Sequence, residues 1–385
     1  LALLAPSAAP LIDPLIPESW QDRFGREAGM PILTILATSM LTVTTFSLTV
    51  MVQAFRSAAS QATPRAYRLH LSDTTTHTAL ATFTAAFLFS LTAIAMFNAG
   101  FYSEAAAVVI FWLTMAVIAA IILAILRWID HLSRLGSMDN TLYMVEHAAL
   151  PALRGMMSRP ALGGIPLTGD LGAPEGGMAL PAPCGGYVQF IDIQSLQDQL
   201  EDCGGRLRIA AAPGHHVVRG QPLGWLSGGS DAARKDLIDA FTIGDSRSLE
   251  QDARYGLMIL SEIAMRALSP AVNDPGTAID VLHRLSRLLA EAGVPSDSAP
   301  EFDRIELPRI AAWDLLDDGI GGILRDGAAR PEVMTVALNA LAVLEKSPWP
   351  DLADSATEMT QYARTQAEAA LTLAPDRERV LGSSE

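Results

Sequence analysis

Lysine is almost missing from this chain: Lys235 and Lys346 are its whole complement, so arginine supplies nearly all the positive charge. Acids outnumber bases and the formal net charge is −15. Residues 231–385 hold 27 acids against 15 bases, a net of −12 for that stretch. Nucleic-acid binding demands a basic footprint, so this balance excludes nucleic acid as a partner. Cysteine is also scarce. Cys184 and Cys203 cannot make a disulfide framework and are expected to be reduced, structural thiols in a cytoplasmic region. Signatures of chemistry are missing too: there is no Cys/His nucleophile pairing, phosphate-cradling glycine loop or close zinc-ligand spacing. No enzyme, cofactor or metal centre is expected.

The most informative absence is local. Gly29 to Phe55 runs 27 positions without a charged side chain, Thr78 to Tyr102 is uncharged, and so is Ala105 to Leu126. A bilayer core needs about 20 apolar residues. The runs lack polar/apolar alternation, and backbone groups in lipid must be satisfied internally, so three membrane helices are expected at 29–55, 78–102 and 105–126. The last two form a tight hairpin over Ser103 and Glu104.

Arginine placement orients them. Arg56, Arg65 and Arg68 face one acid, Asp73, between the first two spans, and Arg127 and Arg134 follow the third. The positive-inside rule puts these segments, and everything after residue 127, in the cytoplasm of a bacterial inner membrane. Residues 1–28 then lie outside. The apolar Leu1 to Ala5 reads as the end of an earlier span, with a cleaved signal peptide as the alternative.

One side of the first span is hydroxyl-rich. Thr34, Thr38, Thr42, Thr45, Thr49 and Gln53 follow helical spacing, with Arg56 just beyond. At 100° per residue the six polar positions span an arc of about 100°. Such a face suits close helix packing, and threonine can also return its hydroxyl proton to its own helix. Alternatively, the span repeats around an oligomer axis and its threonines line a wet pathway, with Gln53 and Arg56 at the cytoplasmic mouth. No charged residue lies mid-span, which argues against a proton-coupled transporter.

The remainder divides into a helix and Gly/Pro-rich linker at 130–180, a β segment at 181–228 and an acidic α-helical part at 229–385. Asp139-Asn140-Thr141 could cap a helix over 142–153. Strands are expected at Gly186–Asp192, Arg206–Ala210, Val217–Val218 and Leu223–Leu226. Pro213-Gly-His-His-Val-Val-Arg-Gly-Gln-Pro-Leu223 resembles the turn of biotinyl/lipoyl-type barrels, which implies a small, barrel-sandwich-like β-barrel. No lysine lies near it, so it is not a carrier domain. His215 and His216 are adjacent on a strand and point to opposite faces, which disfavours chelation of one ion.

Farther on, Ser230-Asp231 starts a helix to about Phe241, and Ser248 with Gln251 reads as a capping box for a helix over Gln251–Leu268. Pro270 ends that helix, and Asp274-Pro275 supplies an N-cap and first-turn proline for the next. Later helices are expected at 309–325, 331–346 and 351–373. Asn273 suits a left-handed turn, and Arg247 with Asp252 suits an ion pair.

The string Arg266-Ala-Leu-Ser-Pro-Ala-Val-Asn-Asp-Pro-Gly-Thr-Ala278, preceded by Gln251-Asp-Ala-Arg-Tyr-Gly256, resembles the DUF2254 family of bacterial membrane proteins. The family pattern has glycine at 271, isoleucine at 272 and phenylalanine at 255. Ser60-Gln61 and Pro64-Arg65 match a further family element. The resemblance implies a membrane protein with several N-terminal helices and a cytoplasmic C-terminal part, but no activity. It marks Gln251, Asp252, Ser269, Asn273, Asp274 and Thr277 as a candidate cytoplasmic site. The expected whole is an oligomeric channel or pore among membrane lipids; a structural or regulatory subunit docked on a membrane-complex partner is the alternative.

Overall fold

A computed structural model describes residues 20, 23–61, 63–71, 74–134, 137–167, 172–229 and 233–382. Leu1–Ala5, Asp73 and the expected helix start at Ser230-Asp231 lie outside the described residues. The chain separates into two compact units, residues 1–141 and 142–385.

The first unit is helical: α1 (Arg26–Gln61), α2 (Pro64–Leu71), α3 (Thr74–Asn98) and α4 (Glu104–Arg134). Three stretches, Arg26–Arg56, Thr75–Asn98 and Glu104–Leu132, are long and apolar enough to cross a membrane. On α3 the fully buried positions are Thr76, Ala79, Phe83, Ala86, Ser90, Ala93 and Phe97. Their alternating spacing of three and four is that of a left-handed helical seam. α1 answers with Leu33, Leu36, Met40 and the small Ser47. Small residues let backbones approach where lipid supplies no hydrophobic drive for association. Ahead of α1, Phe24 packs 5.0 Å from Phe111 and 5.6 Å from Trp112 of α4, centroid to centroid.

The second unit is mixed. It opens on α5 (Met138–Ser158), whose first residues belong to the first unit, then β1 (Ile165–Leu167), β2 (Met178–Pro181), β3 (Gly186–Ile191), α6 (Ile193–Cys203), β4 (Arg206–Ile209), β5 (His216–Val217) and β6 (Pro222–Ser227). Next come α7 (Arg234–Asp239), β7 (Phe241–Gly244), α8 (Ala253–Leu268), α9 (Pro275–Glu291) and β8 (Ile305–Pro308). The chain ends in α10 (Ala312–Leu316), a π turn (Asp317–Gly321), α11 (Gly322–Gly327), α12 (Pro331–Leu344), α13 (Pro350–Ala370) and α14 (Ala374–Leu381).

The expected β-barrel is not formed. The strands divide between two open sheets, one ordered β1-β8-β4-β6-β2 and the other β5-β3-β7. Two features prevent closure. Asp192 accepts from Ser195 N at 3.0 Å and Gly204 adopts φ 70°, so residues between β3 and β4 form α6, which buries Ile193, Leu196 and Leu200. And β8 arrives from about 100 residues beyond β4 to pair parallel with both β4 and β1, leaving two free edges. Parallel pairing requires a crossover connection, and here the chain from β4 to β8 runs through β5, β6, α7, β7, α8 and α9.

The capping box is also corrected. Gln251 does not cap; its side chain accepts from Ile191 N at 2.8 Å and donates to Ile191 O at 3.0 Å. Asp252 is the N-cap of α8, accepting from Tyr255 N at 3.2 Å, so the helix begins at Ala253. In place of a continuous helix over 309–325, a π turn interrupts the segment.

Candidate functional site

In the first unit, the threonine face of α1 is turned away from α3 and α4. Thr34, Thr38, Thr42, Thr45, Thr49, Gln53 and Arg56 are all exposed. Each ladder hydroxyl donates to its own helix: Thr34 to Met30 O (2.9 Å), Thr42 to Thr38 O (3.0 Å) and Thr49 to Thr45 O (2.9 Å). Thr38 and Thr45 each reach the carbonyls three and four residues back. The hydroxyl donors are therefore satisfied, while their oxygens stay open as acceptors. Large apolar side chains flank the stripe at the surface: Leu41 and Leu48 on one side, Ile35 and Phe46 on the other.

In the second unit, the two halves of the family motif are not brought together. They sit at opposite ends of α8, whose 16 residues span about 24 Å. At the C-terminal end, Ser269 Oγ donates to Arg266 O, and Asn273 takes the left-handed φ of 55°. Asp274 caps α9, accepting from Thr277 N at 3.1 Å and from the Thr277 hydroxyl at 2.6 Å. The Thr277 hydroxyl, then its N–H, holds the Asp274 carboxyl below its ordinary pKa. All these groups serve an exposed turn.

The N-terminal end does more. Asp252, 2% exposed, grips Arg247 through two bonds of 2.7 and 2.9 Å, and that guanidinium lies 5.0 Å from the Tyr255 ring centroid. Against this pair leans the turn Pro213–His216. Gly214 has φ +89°, and a Cβ there would fall 2.2 Å from Asp252 Oδ2. Glycine is required twice over, by conformation and by space.

This end forms one wall of a cavity of about 930 Å3. Opposite walls come from α5 and the turn after it, the end of β3, the end of β8, and Trp349. The partly exposed Tyr187 and Phe190 contribute aromatic surface, and Phe302 and Trp349, each 3% exposed, line it as buried rings. Ala161 and Leu162 in the same wall hold left-handed backbone, φ 51° and 55°, which side chains other than glycine rarely adopt. His216 meets Tyr187 edge to face at 5.0 Å, and both residues line the cavity.

Arg254 also lines it, bonded to Asp318 at 2.5 Å and Asp314 at 3.3 Å. Burial alone would lower the pKa of Arg254; the Asp318 hydrogen bond and the neighbouring carboxylates outweigh it and hold the pKa above its ordinary value. Among the described residues no group of three or more His, Cys, Asp or Glu is placed to hold a metal. Of the cavity's polar residues, the sequence pointed to Arg247, Gln251 and the His215-His216 turn and held Arg254 within the family string; Arg159, Phe302 and Trp349 carried no local signal.

A family model for DUF2254, described as a predicted membrane protein, matches residues 1–343. The chain belongs to that family. Uncharacterised proteins of Mycobacterium bovis and of two Mycobacterium tuberculosis strains, H37Rv and CDC 1551, are each 28% identical to it over 370 residues. Those matches cover 90% of this chain and 68% of each relative. No solved structure matches. A DUF2254 chain with these helices is a membrane protein, and both motif halves fall inside the matched region.

Proposed function

We propose that this DUF2254 protein is an oligomeric channel or pore of the bacterial inner membrane, multi-pass, with its second unit in the cytoplasm. The observation that carries the reading is the exposure of the whole α1 ladder, away from α3 and α4, between two apolar flanks. A helix so patterned can bury its flanks against sister helices and turn the stripe toward a common axis. The conduit would be mildly polar, lined by hydroxyl oxygens, with Gln53 and Arg56 at its cytoplasmic end.

The alternative is a non-transporting structural or regulatory subunit. It is favoured by the hydrogen bonds of the ladder, because a threonine whose proton is returned to its own helix is cheap in lipid. The two readings part on flux through liposomes holding the parent chain or the Thr42→Leu/Thr45→Leu variant. The channel reading expects flux in the parent and a clear loss in the variant. Equal flux in both, or none in either, sinks it.

A further inference from the structure

We propose that the cavity of the second unit binds a small anion built on an aromatic ring. Its volume of about 930 Å3 lies within the range of small-molecule sites. The ring has its counterpart in the partly exposed Tyr187 and Phe190, with the buried Phe302 and Trp349 also in the lining.

The anion has its counterpart in the rim. Arg159 pairs with Glu301 at 2.6 Å, with side chains 51% and 58% exposed, and Arg309 pairs with Asp351 at 3.2 Å, 39% and 59% exposed. Exposed pairs of this kind contribute little to stability, so a ligand carboxylate or phosphate can take over either guanidinium at little cost. Arg247 is different. Its bidentate bond to the buried Asp252 is too costly to break, and it serves to position the wall. Ala161 and Leu162 keep strained backbone at the foot of the same wall, next to Arg159, as binding sites commonly do.

Two sources share this chemistry, a mononucleotide and an aryl carboxylate. The test is calorimetry of the full chain in detergent with AMP and, separately, indole-3-carboxylate; adenosine, indole and inorganic phosphate are the comparisons. Binding of AMP or of indole-3-carboxylate with Kd below about 0.1 mM, and about tenfold weaker binding of the uncharged or ringless partners, supports the site and names the source. Arg159→Gln then weakens binding about tenfold. Glu301→Gln removes the competing carboxylate and strengthens binding severalfold, a gain that a misfolded variant cannot imitate. No heat from either anion at about 1 mM overturns the proposal. So does a Glu301→Gln variant that binds no better than the parent.

Discussion

Substituting Gly214 by alanine tests how the cavity wall is held, because Gly220 offers a matched control. Both glycines have nearly the same positive φ, +89° and +87°, but nothing lies within 4 Å of a Cβ built at Gly220. At Gly214 the added carbon would sit 2.2 Å from Asp252 Oδ2 and 2.8 Å from its Cγ. Gly220→Ala therefore carries only the left-handed backbone penalty, about 1–2 kcal/mol. Gly214→Ala carries that and must also push the Asp252 carboxylate off Arg247 and Tyr255 N, a buried bidentate pair and a helix cap. Removing one partner of a buried pair costs about 3–5 kcal/mol; partial relaxation reduces the excess over Gly220→Ala to about 2–3 kcal/mol. For a unit of this size that is a further fall in Tm of roughly 4–12 °C. Thermal melts of both variants in the same detergent, followed by circular dichroism, give the comparison. Equal melting of the two would show that the Pro213–His216 turn does not support the Arg247–Asp252 pair.

Two other substitutions probe the second unit away from the Gly214 turn. Glu146 of α5 accepts from Arg284 Nη1 and Arg287 Nε of α9, each at 2.9 Å, so Glu146→Gln is expected to lower stability by about 2–3 kcal/mol in denaturant titration. The lower end applies because Arg287 is half exposed. Asp274→Ala removes an N-cap and is expected to cost about 1 kcal/mol at neutral pH. Its pKa is depressed on folding, so this contribution is present above the ordinary carboxylate value of 3.8 and drains as pH falls through the lowered one. Parent and variant should therefore converge in acid, and a constant gap across that range would contradict the capping role.

Legibility in the sequence followed the range of the interactions. The three apolar helices were readable because length and absence of charge are local properties, and the ladder was readable because helical spacing is. Strands β3, β4 and β6 also announced themselves as short stretches with apolar residues between glycines. Closure of those strands was misjudged because β8 lies about 100 residues from the strand it pairs with, and no local pattern reports a parallel partner. Gln251 was misread for the same reason. Its spacing from Ser248 fits a capping box, yet its partner is the backbone of Ile191, 60 residues earlier. The cavity was invisible as a whole, since its walls come from segments between Pro151 and Trp349. Even its strained turn is hidden: Ala161 and Leu162 take left-handed backbone without the glycine that would have advertised it. The seam of α3 was overlooked because its small buried residues look no different from lipid-facing ones in composition.

The channel reading turns on whether water reaches the exposed hydroxyl face. Single cysteines at Thr38, Thr42, Thr45 and Thr49, and at the flanking Ile35, Leu41, Phe46 and Leu48, can be placed in a chain whose Cys184 and Cys203 are replaced by serine. Reconstituted in liposomes and exposed to a charged, water-soluble methanethiosulfonate, the ladder positions should react and the flanks should not, in step with the helical repeat. Silence at all eight positions, or labelling without that periodicity, would contradict a water-filled path along α1.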